Sequence, residues 1–329
     1  MITRRGVVAA CAGLLLTLSA GAGRGQDLGT IKVGVLAFGT VSWELDVIQE
    51  NGLDRERGFE LEVQPYGGDQ AADVALQGGA VDTIVSDWLW VSRQRAEGQM
   101  LTFVPFSSSV GALMVPPDAG IKSVADLAGR RLGIAGGPLD KSWLLLQGLA
   151  AESYEMDLAA KVEPVFGAPP LLNQKAESGE IDAILNYWHY AARLEAQGFT
   201  RLIDVEEAAR GLGIEHEVPQ LGYVFFEAWG DEHAKLVLAF VEASREAKRI
   251  LLSSDEEWAR IRPLTKAEDD ATFEALKRSW RDGVPEAWGE AERADAAKLY
   301  AILAELGGER LVGSASELQD GTFWPQVTF

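Results

Sequence analysis

Two stretches of the chain, 100 positions apart, are variants of one another. Residues 79–98 read GAVDTIVSDWLWVSRQRAEG and residues 179–198 read GEIDAILNYWHYAARLEAQG. Aligned without a gap, they share Gly79/Gly179, Asp82/Asp182, Ile84/Ile184, Trp88/Trp188, Arg93/Arg193, Ala96/Ala196 and Gly98/Gly198. The same offset pairs Ser42-Trp43 with Ser142-Trp143, and Gly67 with Gly167. Tryptophan is a rare residue, so its two coincidences carry most of the weight. A repeat this long implies two similar lobes, and two facing lobes make a cleft.

Around the repeat, short apolar segments alternate with helical ones. Strands are expected over 31–38, 59–65, 83–86 and 101–105, and again over 131–135, 161–166, 183–186 and 201–205. Helices are expected over 41–55, 69–77, 88–97, 141–152 and 190–197. Such alternation with short connections gives an α/β chain, its mostly parallel sheets flanked by helices. The extended run 110–117, stopped by Pro116-Pro117, reads as a crossing between lobes, and 218–226 as a strand that leads back. The last third reads as three helices, over 231–252, 266–281 and 287–306. One lobe is therefore expected to be discontinuous, built from residues 27–115 and 218–329, with 116–217 forming the other. A double connection of this kind acts as a hinge.

Residues 1–26 have the cationic start, apolar stretch and small residues of a cleaved export signal. The single cysteine, Cys11, falls inside it, so the processed chain is expected to lack thiol catalysis, disulfides and cysteine-bound zinc. No later segment is apolar enough to span a bilayer, and a soluble protein in the periplasm is expected. The formal charge of −20 contains no basic patch that would recruit nucleic acid.

Parallel α/β sheets bind ligands at the carboxyl ends of their strands, where loops feed helix N-termini. The first strand of one lobe runs into Thr40, Ser42, Trp43 and Glu44, and its counterpart into Asp140, Lys141, Ser142 and Trp143. The third strands run into Ser86, Asp87 and Trp88, and into Asn186, Tyr187, Trp188 and His189. A lone Trp at such a place packs as core, and the serines and Asp140 can cap helices. Four Trp at symmetric strand ends read as a cleft lining, with Trp43 opposite Trp143 and Trp88 opposite Trp188. Glu44, Asp87 and Asp140 are acceptors, Lys141 is the single cation, and His189 is a switchable donor. Carboxylates beside aromatic rings suit an amine, a planar heterocycle or a cation, whereas Lys141 and the helix N-termini suit an anionic tail instead. Residues 136–142 lack phosphate-loop glycine spacing, and no HExxH, GxSxG or paired-His motif is present. His216, between Glu215 and Glu217, reads as a surface loop. No catalytic residue, metal or cofactor is expected.

Residues 31–34 (IKVG), 78–82 (GGAVD) and above all 121–134 (IKSVADLAGRRLGI) carry a resemblance. The chain resembles the SsuA/THI5-like (NMT1) group of periplasmic substrate-binding proteins of ABC importers. The resemblance implies a two-lobed, type II periplasmic-binding-protein fold that captures a small molecule and delivers it to a permease and ATPase complex. It implies a monomer without enzymatic activity, whose relatives take sulfonates, nitrate, taurine or pyrimidine precursors of thiamine. Two alternatives remain open: an enzyme of the THI5-like type, and an acidic metal or metallophore receptor. The enzyme branch carries a cysteine-rich motif, which the processed chain lacks, and oxyanion binders would show more cleft cations than Lys141.

Overall fold

Apolar segments of strand length cannot hold together alone, because half of their backbone groups would stay unpaired. Here they assemble into two five-stranded sheets. The structure, a computed structural model, describes residues 27–37 and 39–329. The expected export signal, with Cys11, lies outside the described residues. The strands are β1 (Gly29–Leu36), β2 (Phe59–Tyr66), β3 (Thr83–Asp87), β4 (Leu101–Ser107) and β5 (Gly111–Val115). They continue as β6 (Arg131–Ala135), β7 (Glu163–Gly167), β8 (Ala183–Tyr187), β9 (Thr200–Asp204) and β10 (Leu221–Phe226). The first sheet has the order β2-β1-β3-β10-β4 and the second β7-β6-β8-β5-β9.

Each sheet begins as a parallel βαβ unit, β2-β1-β3 in one and β7-β6-β8 in the other. In each, one antiparallel strand follows: β10 between β3 and β4, and β5 between β8 and β9. Both antiparallel strands are the first to form after the chain has crossed from the other lobe. The exchange is reciprocal, and it ties the lobes together twice.

One boundary differs from the expectation. The sequence places the first crossing after residue 115, but residues 111–115 are β5 and pair on both sides within the second sheet. All five of its residues are buried, and an interior segment left as a linker would strand its amides and carbonyls. The chain therefore crosses at residues 108–110, where the Ser108 amide donates to the Gly283 carbonyl (3.0 Å). The last third differs too. The sequence places its helices with the first lobe, yet the helix Asp270–Asp282 packs on Trp188–Ala196 of the second, with Arg278 paired to Glu195 at 3.1 Å. The helix Glu290–Gly307 packs on Lys141–Tyr154. A further helix, Asp255–Thr265, lies in a stretch left unassigned, and its Trp258 is fully buried.

The repeat has a structural meaning. Gly79 and Gly179 sit at φ +68° and +74°, a turn that side chains rarely tolerate. Three residues on, the carboxylates of Asp82 and Asp182 accept from backbone amides of the neighbouring strands, Lys32 N (2.7 Å) and Arg131 N (2.8 Å). The amides of the same two aspartates donate to the carbonyls of Lys32 and Arg131, both at 2.9 Å. Each Gly-x-x-Asp thus fixes the register of a third strand against a first one. Asp182 also takes the Arg131 guanidinium, which holds its carboxyl below the usual range. That stabilisation is present at neutral pH and is lost as pH falls below the unfolded carboxyl pKa of about 4. Asp182→Ala should cost about 1–2 kcal/mol at pH 7, given the partial exposure of the pair. Urea unfolding should show the difference from wild type shrinking towards pH 3.

Candidate ligand site between the lobes

The two lobes meet with their strand ends crossed. The first strand end of lobe 1 faces the third of lobe 2, because the Trp43 and Trp188 rings touch edge to face (centroids 6.0 Å apart). The third strand end of lobe 1 faces the first of lobe 2, because Lys141 Nζ lies 2.8 Å from Asp87 Oδ2. This is the arrangement of a two-fold axis. The expected oppositions, Trp43 with Trp143 and Trp88 with Trp188, are replaced by crosswise ones.

The four tryptophans do not form open walls. Trp43, Trp88, Trp143 and Trp188 are 4%, 1%, 3% and 8% exposed. Trp43 Nε1 donates to the Leu264 carbonyl (3.2 Å) and Trp88 Nε1 to that of Pro219 (3.0 Å). Trp43 also abuts Trp258, and Trp88 packs on Tyr300 and Phe323. A ring this large at the first turn of a helix removes the most apolar surface by turning under the sheet rim, and here it does. The indoles belong to the cores and not to a cleft wall.

Glu44 is likewise turned inward and fully buried. It accepts from Tyr223 Oη (3.0 Å), Ser244 Oγ (2.5 Å) and Lys248 Nζ, all within lobe 1. Burial pulls the Lys248 ammonium below its ordinary pKa, against the pull of Glu44. Asn186 is spent on structure as well: Nδ2 donates to Asn173 Oδ1 (2.8 Å) and the Pro169 carbonyl (3.1 Å). Ser42 Oγ donates to the Gly39 carbonyl (2.8 Å), and Thr40 sits at the N-terminus of its helix without a side-chain cap.

What remains at the junction is acidic. Asp87 Oδ1 caps its helix through Trp90 N (2.8 Å), leaving Oδ2 for Lys141. Burial raises the Asp87 carboxyl, but Lys141 and two backbone amides hold it below the usual range. Asp140 Oδ1 caps the helix Lys141–Tyr154 through Ser142 N (2.9 Å). Its Oδ2 receives Tyr187 Oη at 3.4 Å, and burial raises its pKa. Gly136 makes room for this contact, since a Cβ there would meet Asp140 Oδ2 at 2.5 Å and Tyr187 Oη at 2.7 Å. Burial and the Asp140 and Asp69 charges push the Tyr187 hydroxyl up, so it stays a donor. Asp73 is pushed up to about 6 by burial and by the charges of Asp69 and Asp87, partly offset by Arg93.

Sequence reasoning passed over Asp69 and Asp73, which follow β2. The signal was there in the Gly67/Gly167 coincidence, which marks the second strand ends as a third equivalent pair of loops. His189 is not the switch that its sequence position promised. Burial, then Arg193, lowers its pKa to about 4, so the ring is neutral above pH 5, edge-on to Trp188 and tilted against Tyr190. His216 binds Asp295 of the helix Glu290–Gly307 through its ring (2.9 Å) and its amide (2.7 Å), tethering the return crossing.

The chain has the fold of two-lobed solute-binding proteins. Superposition on the aliphatic sulphonate binding protein SsuA from Escherichia coli gives a TM-score of 0.70 at 16% identity, over 87% of this chain and 94% of that one. For the alkanesulfonate-binding SsuA from Xanthomonas axonopodis pv. citri, bound to MOPS, the TM-score is 0.65 at 17% identity, over 90% and 98%. A ligand-binding component of an ABC-type import system from Staphylococcus aureus, with zinc bound, gives 0.62 at 14% identity, over 88% and 99%. Residues 45–257 match the model of the NMT1/THI5-like family, and the chain belongs to that family. No curated protein sequence matches the chain.

The buried pair gives a sharp test of the interior reading. Glu44→Ala should destabilise the protein by about 3–5 kcal/mol, because Lys248 would be left buried and unpaired. Adding Lys248→Met should recover most of the loss, as read by the midpoint of denaturant unfolding.

Proposed function

We propose that the protein is the solute receptor of an ABC importer, exported to the periplasm, acting as a monomer and without catalysis. It captures a small molecule that bears a positive charge, an amine or a cationic heterocycle. The ligand is held between Asp87 with its neighbours Asp69 and Asp73 on one lobe and Asp140 with Tyr187 on the other. Closure follows because only the closed form offers both sets of contacts at once. The loaded form is handed to a permease and ATPase complex. Among the described residues, no helix is long and apolar enough to cross a membrane.

The single observation that carries the ligand class is the charge at the junction. Asp73 feels the charges of Asp69 and Asp87, Tyr187 feels those of Asp140 and Asp69, and Lys141 is the cation paired to Asp87. In a partly desolvated cleft such excess negative charge disfavours sulfonate or nitrate and favours a cation.

Calorimetric titration with 1,4-diaminobutane and a quaternary ammonium, against taurine as the anionic control, tests this. Heat is expected with one or both ammonium compounds and none with taurine. Asp87→Asn, which preserves the helix cap, should weaken binding about tenfold to a hundredfold. Heat with taurine alone would contradict the reading. Affinity should also rise between pH 5 and 7, because Asp73, at about 6, gains its charge across that range.

A further inference from the structure

The Lys141–Asp87 pair has a consequence of its own, which rests on reading this junction as the ligand site. Its partners belong to different lobes: Asp87 ends β3 of the first sheet, and Lys141 opens the helix after β6 of the second. Their side chains are partly covered, at 27% and 22% exposure, so the pair is screened less than a surface pair. Other charged contacts bridge the lobes through the C-terminal segment, Arg278 of the helix Asp270–Asp282 with Glu195, and Arg193 with Glu268 in the turn before that helix. Lys141–Asp87 is made by the strand ends themselves. Asp87 Oδ1 is committed to Trp90 N, so Oδ2 is the lone oxygen free to meet a ligand cation, and Lys141 holds it.

We infer that Lys141 is a tethered stand-in for the ligand: its ammonium occupies the Asp87 oxygen that a bound cation would take, closes the empty receptor, and must be displaced for binding. The side chain then sets selectivity as well as affinity. A ligand with a single weak cation competes poorly with an ammonium held on the neighbouring lobe. A ligand that reaches both Asp87 and the Asp140–Tyr187 pair replaces the bridge and adds contacts of its own. If the bridged form dominates the empty protein at about nine to one, apparent affinity falls about tenfold, because binding draws on the open fraction alone. The sign separates this role from the ordinary one. A lysine that holds an anionic ligand is needed for binding, whereas a lysine that impersonates a cation is in the way.

The test measures lobe separation without ligand. Spin labels on cysteines replacing Val74, in lobe 1, and Leu171, in lobe 2, sit on exposed helical positions (68% and 48%), with Cys11 changed to serine. Double electron–electron resonance should show one short distance in the otherwise wild-type protein. Lys141→Met should add a longer or much broader population, and Asp87→Asn should do the same. A distribution unchanged by either substitution would overturn the inference. Lys141→Gln, closer in shape and polarity, serves should the Met variant fold poorly.

Titration with 1,4-diaminobutane adds the second readout. Lys141→Met should bind about tenfold more tightly than wild type. Weaker binding by the variant would overturn the stand-in role. If the lobes open on substitution but no ammonium compound binds either protein, the ligand class proposed above fails and Lys141 keeps its role as the latch.

Discussion

The exchange of two antiparallel strands is the constraint from which the rest follows. β5 enters the second sheet straight from the first lobe, and β10 enters the first sheet on the way back. Each is paired on both sides, so neither can slip without breaking two ladders. Two lobes tied in this reciprocal way stand about an approximate two-fold axis. That axis, and not the linear order of the repeat, decides which loops meet. It sets Trp43 against Trp188 and Asp87 against Lys141. The C-terminal helices then brace both lobes from outside, through Arg278–Glu195 and the His216–Asp295 tether.

Carboxylates of one chemical type have three fates here, set by environment. Glu44 is desolvated and matched by Lys248, Ser244 and Tyr223, which makes it part of the lobe 1 interior. Asp82 and Asp182 are tied to backbone amides and fix strand register. Asp69, Asp73, Asp87 and Asp140 gather where the strand ends face each other, with Lys141 paired to Asp87 and the Tyr187 hydroxyl to Asp140. Negative charge drawn from both lobes to one partly covered junction is the feature that marks a ligand site here.

Most of the strands were legible in the sequence, because β-branched runs ending at Gly and Pro leave little choice of period. The sheets' parallel cores followed from the alternation with helices. The run at 110–117 was read as a linker because it stands beside two prolines, and its pairing on both edges depends on residues far away in the chain. Asp87, Asp140 and Lys141 are legible as polar groups at strand ends, whereas the residues that face them are not. An offset in sequence states which positions are equivalent, and it is silent on which of them face one another. The tryptophans misled for a related reason. A helix N-terminus at a strand end offers an outward and an inward direction, and the apolar area of indole selects the inward one. Glu44 was unreadable because its partners lie about 200 residues further on.

The central claim is that the crossed strand ends form an acidic cleft that selects a cation. The most direct measurement is native mass spectrometry of the protein recovered from its own cell envelope, with the retained molecule released and identified. The account predicts a small molecule with an ammonium or other cationic group, lost from Asp87→Asn protein prepared in the same way. Recovery of a sulfonate or another anion, retained equally by that variant, would contradict it.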